Sequence, residues 1–248
     1  MPDPAIPREL RMYGVNAVRA VFVRRPEALR KLWLSEDRVG DMRDVLKWCA
    51  SHRVGYRIVP DDDLRKLAAS SHHEGVVADV LRAPMPRLDE WLATRPAGRD
   101  CALWLDGVGN PHNLGAILRS AAHFGIGALL IPRDSDLQVS GAAARVAEGG
   151  AETVALVRLP AAREALSALR DAGYTTAATL VDGGEDLFAL DLPRRLVYVM
   201  GAEQSGMDRG LAATCDLRVS IPGTGAVESL NVASATAVLL AAWASKSR

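Results

Sequence analysis

Three times in the second half of this chain a short apolar run gives way to a glycine-rich loop that leads towards a helix. Residues 101–105 run into Asp106-Gly-Val-Gly-Asn-Pro-His-Asn113. Residues 196–200 run into Gly201-Ala-Glu-Gln-Ser-Gly206. Residues 217–221 run into Pro222-Gly-Thr-Gly225 and then a long Ala/Val/Leu segment from about Ser229 to Trp243. Short apolar runs that alternate with helices are buried strands of a largely parallel sheet. Glycine at a strand end lets the backbone take φ values other residues avoid and approach a ligand closely. Three such loops describe a ligand crevice at the edge of an α/β sheet.

Each loop carries polar side chains where it becomes a helix. Asn113 is placed to cap a helix over 114–124, with Gly125 just beyond its end. Along that helix Gly115, Arg119 and His123 recur every four residues, on one face. Arg119 sits inside the run Ala-Ile-Leu-Arg-Ser-Ala-Ala-His-Phe, where burying a guanidinium is costly unless it meets a carboxylate or an anion. That cost singles it out as a site residue. In the third loop Glu228 or Ser229 would cap the following helix. That helix is small and apolar almost all round, and is expected to be buried against a sheet or another subunit.

The first part of the chain reads as a smaller α/β unit. Residues 1–10 are proline-rich and expected to be irregular. Helical spacing over 14–25 stops at Pro26. A strand follows at 31–35, an amphipathic helix over 38–51, a strand at 56–59, a short helix opened by Asp61, Asp62 and Asp63, and a strand at 76–81. Residues 83–99 hold three prolines and a glycine around a short amphipathic piece at 88–92, and read as a linker. The expected organisation is a domain over 1–82, this linker, and a domain over 100–248. Further strands are expected at 127–131, 154–157, 174–180 and 196–200, and helices at 140–148 and 161–172. Arg145 and Glu148 either line the site or serve the end of their helix.

Lys+Arg and Asp+Glu both number 30, so the whole-chain charge does not advertise a nucleic-acid partner. Residues 1–82 hold 15 basic and 12 acidic side chains, a surplus of three, against 15 and 18 in the remainder. The three cysteines, Cys49, Cys101 and Cys215, lack C-x-x-C spacing, which argues against a zinc site or a disulfide framework and for a reducing compartment. No apolar signal core opens the chain, and its most apolar stretch falls short of the ~20 residues of a membrane span. A cytoplasmic protein with no membrane partner is expected. His72, His73 and Glu74 have no further ligands at metal-binding spacing, so no metal is expected. The segment reads as a turn or an RNA-facing loop. Gly107, Gly109 and Gly115 miss the dinucleotide spacing, no P-loop occurs, and Ser229 lacks a nucleophile elbow. NAD, ATP and Ser-His-Asp chemistry are poor candidates.

Together the three loops resemble the SpoU (TrmH-type) family of RNA 2′-O-ribose methyltransferases, in the knotted SPOUT superfamily. Asn113, Gly115 and Arg119 match its N-x-G-x-x-x-R motif. Gly201, Glu203 and Gly206 match G-x-E-x-x-G. Ile221, Pro222, Gly225, Ser229, Leu230, Asn231 and Val232 match I-P-x-x-G followed by S-L-N-V. Ala202 stands where asparagine is common, and Gly223 where methionine is common. The likeness covers about residues 100–248. More loosely, the opening Tyr13–Val18 and the His-x-Gly-Val stretch at 73–76 are similar to the start and close of the family's L30e-like substrate-binding domain.

The resemblance implies an α/β fold in which a SPOUT domain with a mostly parallel sheet and a deep trefoil knot follows a small L30e-like α/β domain. It implies a homodimer, structured rRNA or tRNA as substrate, and S-adenosylmethionine as methyl donor. Gly201, Ile221 and Leu230 are the implied cofactor contacts, with Thr179, Leu180, Met200, Gly206 and the loop holding Pro222 and Gly225 completing the pocket. Arg119 is the implied catalytic residue. A guanidinium gives up its proton very reluctantly, so stabilising an emerging alkoxide and the adjacent phosphate is expected over proton abstraction. Ser229 and Asn231 would position the ribose or hold Arg119, and Asn113 and Glu203 would support them. Arg11, Arg19, Arg24, Arg25 and Arg30 are candidate phosphate contacts. Two other readings compete. One is a non-catalytic RNA-binding factor that kept the fold, which loss of Arg119, Asn231 or the loop glycines would have favoured. The other is an α/β enzyme for a different small ligand.

Overall fold

The computed structural model describes residues 8–202 and 206–246, and its elements fall into two compact units. The first comprises Met1–Pro84 with Val139–Glu152, and the second Met85–Gln138 with Thr153–Arg248.

In the first unit β1 (Glu9–Tyr13), α1 (Val15–Arg24), β2 (Leu29–Leu34), α2 (Arg43–Ser51), β3 (Gly55–Ile58), α3 (Asp61–Ala68) and β4 (Val76–Leu81) follow one another. The sheet runs β1-β4-β2-β3, with β4 antiparallel to both neighbours and β3 parallel to β2. β1 replaces part of the irregular segment expected from sequence. Its five residues place Leu10 and Met12 inwards, a period-2 pattern too short to stand out beside the prolines. α1 and α2 cover one face of the sheet, where Val18, Val21, Val45 and Cys49 pack with Met12, Leu32 and Val80. α3 puts Leu64 against Trp33 and Val77 on the other face. The helix expected over 38–51 is shorter: Glu36–Arg38 forms a single 3₁₀ turn, and the α-helix begins at Arg43.

The first unit also takes a segment from the middle of the chain. There α6 (Gly141–Val146) is capped by the Ser140 hydroxyl, which accepts from the Ala143 N–H at 3.2 Å. α6 lies so close to β1 that a β-carbon on Gly141 would sit 2.6 Å from the Arg11 carbonyl oxygen. Arg145 pairs with Glu74 at 3.1 Å, and the Glu148 carboxylate accepts from Asn16.

The second unit contains α4 (Leu88–Leu92), β5 (Asp100–Leu105), α5 (Pro111–His123), β6 (Ala128–Ile131), β7 (Ala155–Arg158), α7 (Ala162–Asp171), β8 (Thr175–Leu180), β9 (Glu185–Asp186), β10 (Arg195–Met200), α8 (Arg209–Thr214), β11 (Leu217–Ser220) and α9 (Val232–Ser245). Seven parallel strands run in the order β7-β6-β5-β10-β8-β11-β9. The fold is thus the α/β class expected, with a parallel sheet whose strands β5 and β10 are near-continuous apolar runs because helices cover both faces. Within the stretch 83–99, Leu88 and Trp91 of α4 are buried with Trp104, Leu130, Val157 and Tyr174. β10 inserts between β5 and β8, so the carboxyl ends of β5, β10, β8 and β11 lie side by side. The pairs Met200↔Leu105, Val199↔Ala178 and Ser220↔Leu180 set that common edge. α9 packs along α5. It is not buried all round: Val232, Thr236, Leu239, Leu240 and Trp243 face inwards, while Ala241 is exposed.

Candidate active site

The three glycine-rich loops leave the sheet at this one edge and are tied to each other. After β5, the Asp106 N–H donates to the Met200 carbonyl at 2.8 Å, so the first loop departs alongside β10. Gly107, at φ +88°, then turns against Ala202: a β-carbon there would lie 2.7 Å from that of Ala202. The second loop closes on itself. Ala202 N–H donates to the Gly206 carbonyl and Gly206 N–H to the Ala202 carbonyl, both at 2.9 Å, with Gly206 at φ +67°. Gly201 is required by packing. A β-carbon at 201 would lie 2.5 Å from the Met207 nitrogen and 2.6 Å from the Gly206 carbonyl carbon, both main-chain atoms. Glu203 lies outside the described residues.

The third loop joins the first through two asparagines. The Asn231 side-chain amide donates to the Asn113 side-chain oxygen at 3.2 Å, across 118 positions of sequence. The other end of the Asn231 side chain accepts from the Ala233 N–H at 2.9 Å and so caps α9. That corrects the expectation that Glu228 or Ser229 is the cap. Ser229 is instead an exposed loop residue. The cap of α5 moves the other way. Asn110 accepts from the His112 N–H at 2.8 Å, Pro111 takes the first helical position, and Asn113 stands inside the first turn with its side chain turned to Asn231. Gly125, at φ +74°, follows the helix end as expected.

Arg119 lies six residues, about 9 Å, along α5 from Asn113. It is exposed, as is His123, whereas Gly115 is buried. The burial cost expected for Arg119 from its apolar surroundings in sequence is therefore not incurred, because the residue is exposed. The remaining predicted residues sit along the sheet edge. Thr179 and Leu180 end β8, and the Thr179 hydroxyl donates to the Val199 carbonyl at 2.9 Å, with the Met200 sulfur 3.6 Å away. Met200 is buried at the end of β10, and Ile221 is half-buried just after β11. Pro222 and Gly225 (φ +79°) are exposed, and Leu230 keeps 47 % of its surface exposed.

Sequence reasoning missed two carboxylates here. Burial, and then the nearby Asp208, push the Asp106 carboxyl above the ordinary carboxylate range. Asp208 caps α8 by accepting from the Leu211 N–H at 2.8 Å. An aspartate three residues before an apolar turn was the signal available for Asp208; Asp106 offered none beyond its place at a strand end. The paired histidines have a local job: His73 is buried and its Nδ1 accepts from the Gly75 N–H at 3.1 Å. Among the described residues no group of three or more His, Cys, Asp or Glu could hold a metal ion, and no helix is long and apolar enough to cross a membrane.

A parallel α/β sheet with three interlocked glycine loops at its carboxyl edge has the architecture in which α/β proteins bind small ligands. Comparison with known proteins narrows the class. The SpoU rRNA Methylase family model matches residues 100–241, and the model for RNA 2′-O ribose methyltransferase substrate binding matches residues 12–86. The chain belongs to the SpoU family of RNA 2′-O-ribose methyltransferases. It is 38% identical over 246 residues to the uncharacterized tRNA/rRNA methyltransferase YfiF of Escherichia coli O157:H7, covering 97% of this chain and 71% of the relative. It is 37% identical to the 23S rRNA (guanosine-2′-O-)-methyltransferase RlmB of Pseudomonas aeruginosa, covering 93% and 94%. Among solved structures, the AdoMet-bound rRNA methyltransferase from Sinorhizobium meliloti matches with a TM-score of 0.81 at 21% identity, covering 96% of this chain and 88% of that one. The SpoU methyltransferase AviRb from Streptomyces viridochromogenes, in complex with AdoMet, matches at 0.80 and 24%, covering 97% and 91%. These two likenesses establish the fold.

Proposed function

We propose that this chain transfers a methyl group from S-adenosylmethionine to a ribose 2′-hydroxyl of RNA, at the edge where β8, β10 and β11 end. The observation that carries this reading is the interlocking of the three loops, Gly107 on Ala202 and Asn113 on Asn231. The residues fit the donor. Leu180, Met200, Ile221 and Leu230 offer apolar surface for an adenine ring, and the absence of a β-carbon at Gly201 leaves main-chain groups as the wall. When bound, S-adenosylmethionine supplies an activated methyl on a sulfonium. The chain's contribution is alignment and charge. Holding the two reactants in near-attack geometry is worth roughly 7–11 kcal/mol of barrier. Arg119, a fixed cation in a five-donor fork, offsets the negative charge that develops on the 2′-oxygen while solvent water takes its proton, and holds the neighbouring phosphate; the donor would leave as its neutral demethylated thioether. Asn113 and Asn231 fix the starts of α5 and α9 relative to each other, with Ser229 beside them for the ribose. Glu203 keeps a supporting part in the reaction by its match to the family motif alone.

Ribosomal RNA has more support than transfer RNA, because relatives spanning nearly the whole chain are named for guanosine in 23S rRNA. The reading extends to a cytoplasmic homodimer whose second domain is knotted. Supporting it are the three buried free cysteines, the small residues on the outer side of α9, and the insertion of β10 between β5 and β8. The test is calorimetric titration of the purified protein with S-adenosylmethionine and its demethylated product, with light scattering for the oligomeric state. Micromolar binding by a dimer is the expected result. A well-folded protein that binds neither compound, with or without RNA, would overturn the reading.

A further inference from the structure

The near-neutral charge of the first unit hides a segregation. β1, β2 and β3 all start, β4 ends, and α1 and α2 end, at one pole of its sheet, as the pairs Glu9↔Leu81, Leu29↔Val80 and Lys31↔Gly55 require. That pole carries Arg8, Arg24, Arg30, Lys31, Lys47 and Arg53, all exposed and none in an ion pair with a described residue. The acids there are Glu9, Glu27, Glu152 and, across the ladder from Lys31, Asp79; Glu152 is taken up by Arg25 at 2.6 Å and Asp79 by Arg11 at 2.8 Å. The opposite pole holds Glu36, Asp37, Asp41 and the Asp61–Asp63 run that opens α3, and its cations Arg38, Arg65 and Lys66 are all paired with these acids. Of the five arginines proposed from sequence as phosphate contacts, three are already engaged. Arg11 pairs with Asp79, Arg19 with Asp44 and Arg25 with Glu152. Arg24 and Arg30 remain, and both belong to the basic pole.

Two further features mark the pole. Arg53 occupies a left-handed backbone conformation, φ 59°, at the turn from α2 to β3, a place where glycine or asparagine would be favoured. The His52 ring stacks on Trp48 at 4.2 Å and 15°, and His52, next to Arg53 in sequence, is exposed. Unpaired cations next to a stacking surface are what a folded RNA needs from a protein that reads its backbone rather than its sequence.

We propose that the RNA backbone docks on this basic pole of the first unit, with Arg24, Arg30 and Arg53 as phosphate contacts. The proposal rests on the reading of the chain as an RNA methyltransferase, and its test separates the two. A fluorescent RNA hairpin is titrated with the full chain from 50 to 200 mM salt, and S-adenosylmethionine binding is measured on the same preparations. The variant Arg24→Gln/Arg30→Gln/Arg53→Gly is expected to bind the hairpin at least tenfold more weakly at low salt. Its slope of log affinity on log salt should be shallower by about 3, near one per lost contact, with cofactor affinity unchanged. Arg53→Gly alone relieves the left-handed strain. It should melt no lower than the parent yet bind RNA several-fold more weakly, a combination that a merely structural role would not give. Glu36→Gln, at the other pole, should leave RNA affinity unchanged. Parental RNA affinity and salt slope in the triple variant, or no hairpin binding by the parent at 50 mM salt, would overturn the assignment. Loss of cofactor binding in the parent would instead count against the methyltransferase reading.

Discussion

Replacing Gly201 by alanine tests the site with a single methyl group. The main chain at 201 has no left-handed φ, so alanine is not excluded by conformation; what excludes it is the neighbourhood. The added carbon would meet the Met207 nitrogen at 2.5 Å, the Gly206 carbonyl carbon at 2.6 Å and the Gly206 oxygen at 2.8 Å. These are roughly 1 Å inside comfortable non-bonded separations, and none is the movable tip of a side chain. The second loop must therefore shift, against the two hydrogen bonds that close Ala202 on Gly206. Overpacking of this kind costs about 1–3 kcal/mol. If the strain is released by displacing the loop from the cofactor edge, S-adenosylmethionine binding weakens by about five- to a hundredfold, at 1.4 kcal/mol per factor of ten. Calorimetry gives the affinity and a thermal melt gives the stability. Gly40→Ala, in the first unit, is the control, because a β-carbon there meets nothing within 4 Å. A Gly201→Ala protein with parental cofactor affinity and parental melting temperature would refute both the packing argument and the location of the pocket.

Arg119→Ala should abolish methyl transfer while leaving cofactor affinity within about twofold, since the side chain is assigned to the substrate oxygen and phosphate; single-turnover kinetics with calorimetry decide, and a large loss of affinity would give Arg119 a different job. Asn231→Ala removes both a helix cap and the link to Asn113, and should cost about 1 kcal/mol of stability from the cap. A double-mutant cycle with Asn113→Ala should show a further coupling of about 0.5 kcal/mol, read from denaturant melts, and a zero coupling would mean that the 3.2 Å contact does not persist in solution. Asp106→Asn should raise the melting temperature at pH 7 and change nothing near pH 3. Burial and Asp208 raise the folded-state pKa of Asp106, so its contribution is complete below the unfolded value of about 3.9 and is lost as pH rises through the folded value. Equal melting of the two proteins at pH 7 would contradict that sign.

Much of this arrangement is legible in the residues. Cys101–Leu105 and Leu196–Met200 are apolar without interruption and become the two adjacent central strands, because a strand covered on both faces needs no polar alternation. Gly125 marked a helix end because the left-handed position that follows a helix, here at φ +74°, favours glycine. What was not legible is what depends on partners distant in sequence. Asn113 and Ser229 both look like helix caps by residue type, but the caps are Asn110 and Asn231, and the choice turns on a hydrogen bond spanning 118 residues. Arg119 stood out in the sequence by the cost of burying it, which its exposed position removes; the motif match alone now singles it out. The return of β10 between β5 and β8 cannot be read from periodicity, which fixes the type of an element and not its neighbours. Nor does a charge count reveal the basic pole, since Arg24, Arg30 and Arg53 come together only because α1, β2 and α2 share an end.

Methyl transfer itself decides whether this protein modifies a ribose of RNA. The purified protein is incubated with S-adenosylmethionine carrying a labelled methyl group and ribosomal RNA from cells that lack this protein, and the RNA is then hydrolysed in alkali. Label is expected in an alkali-resistant dinucleotide, because a methylated 2′-oxygen cannot attack its own phosphodiester, and no label with Arg119→Ala. Label on a base, released in mononucleotides, or no transfer by a protein that binds both cofactor and RNA, would contradict that expectation.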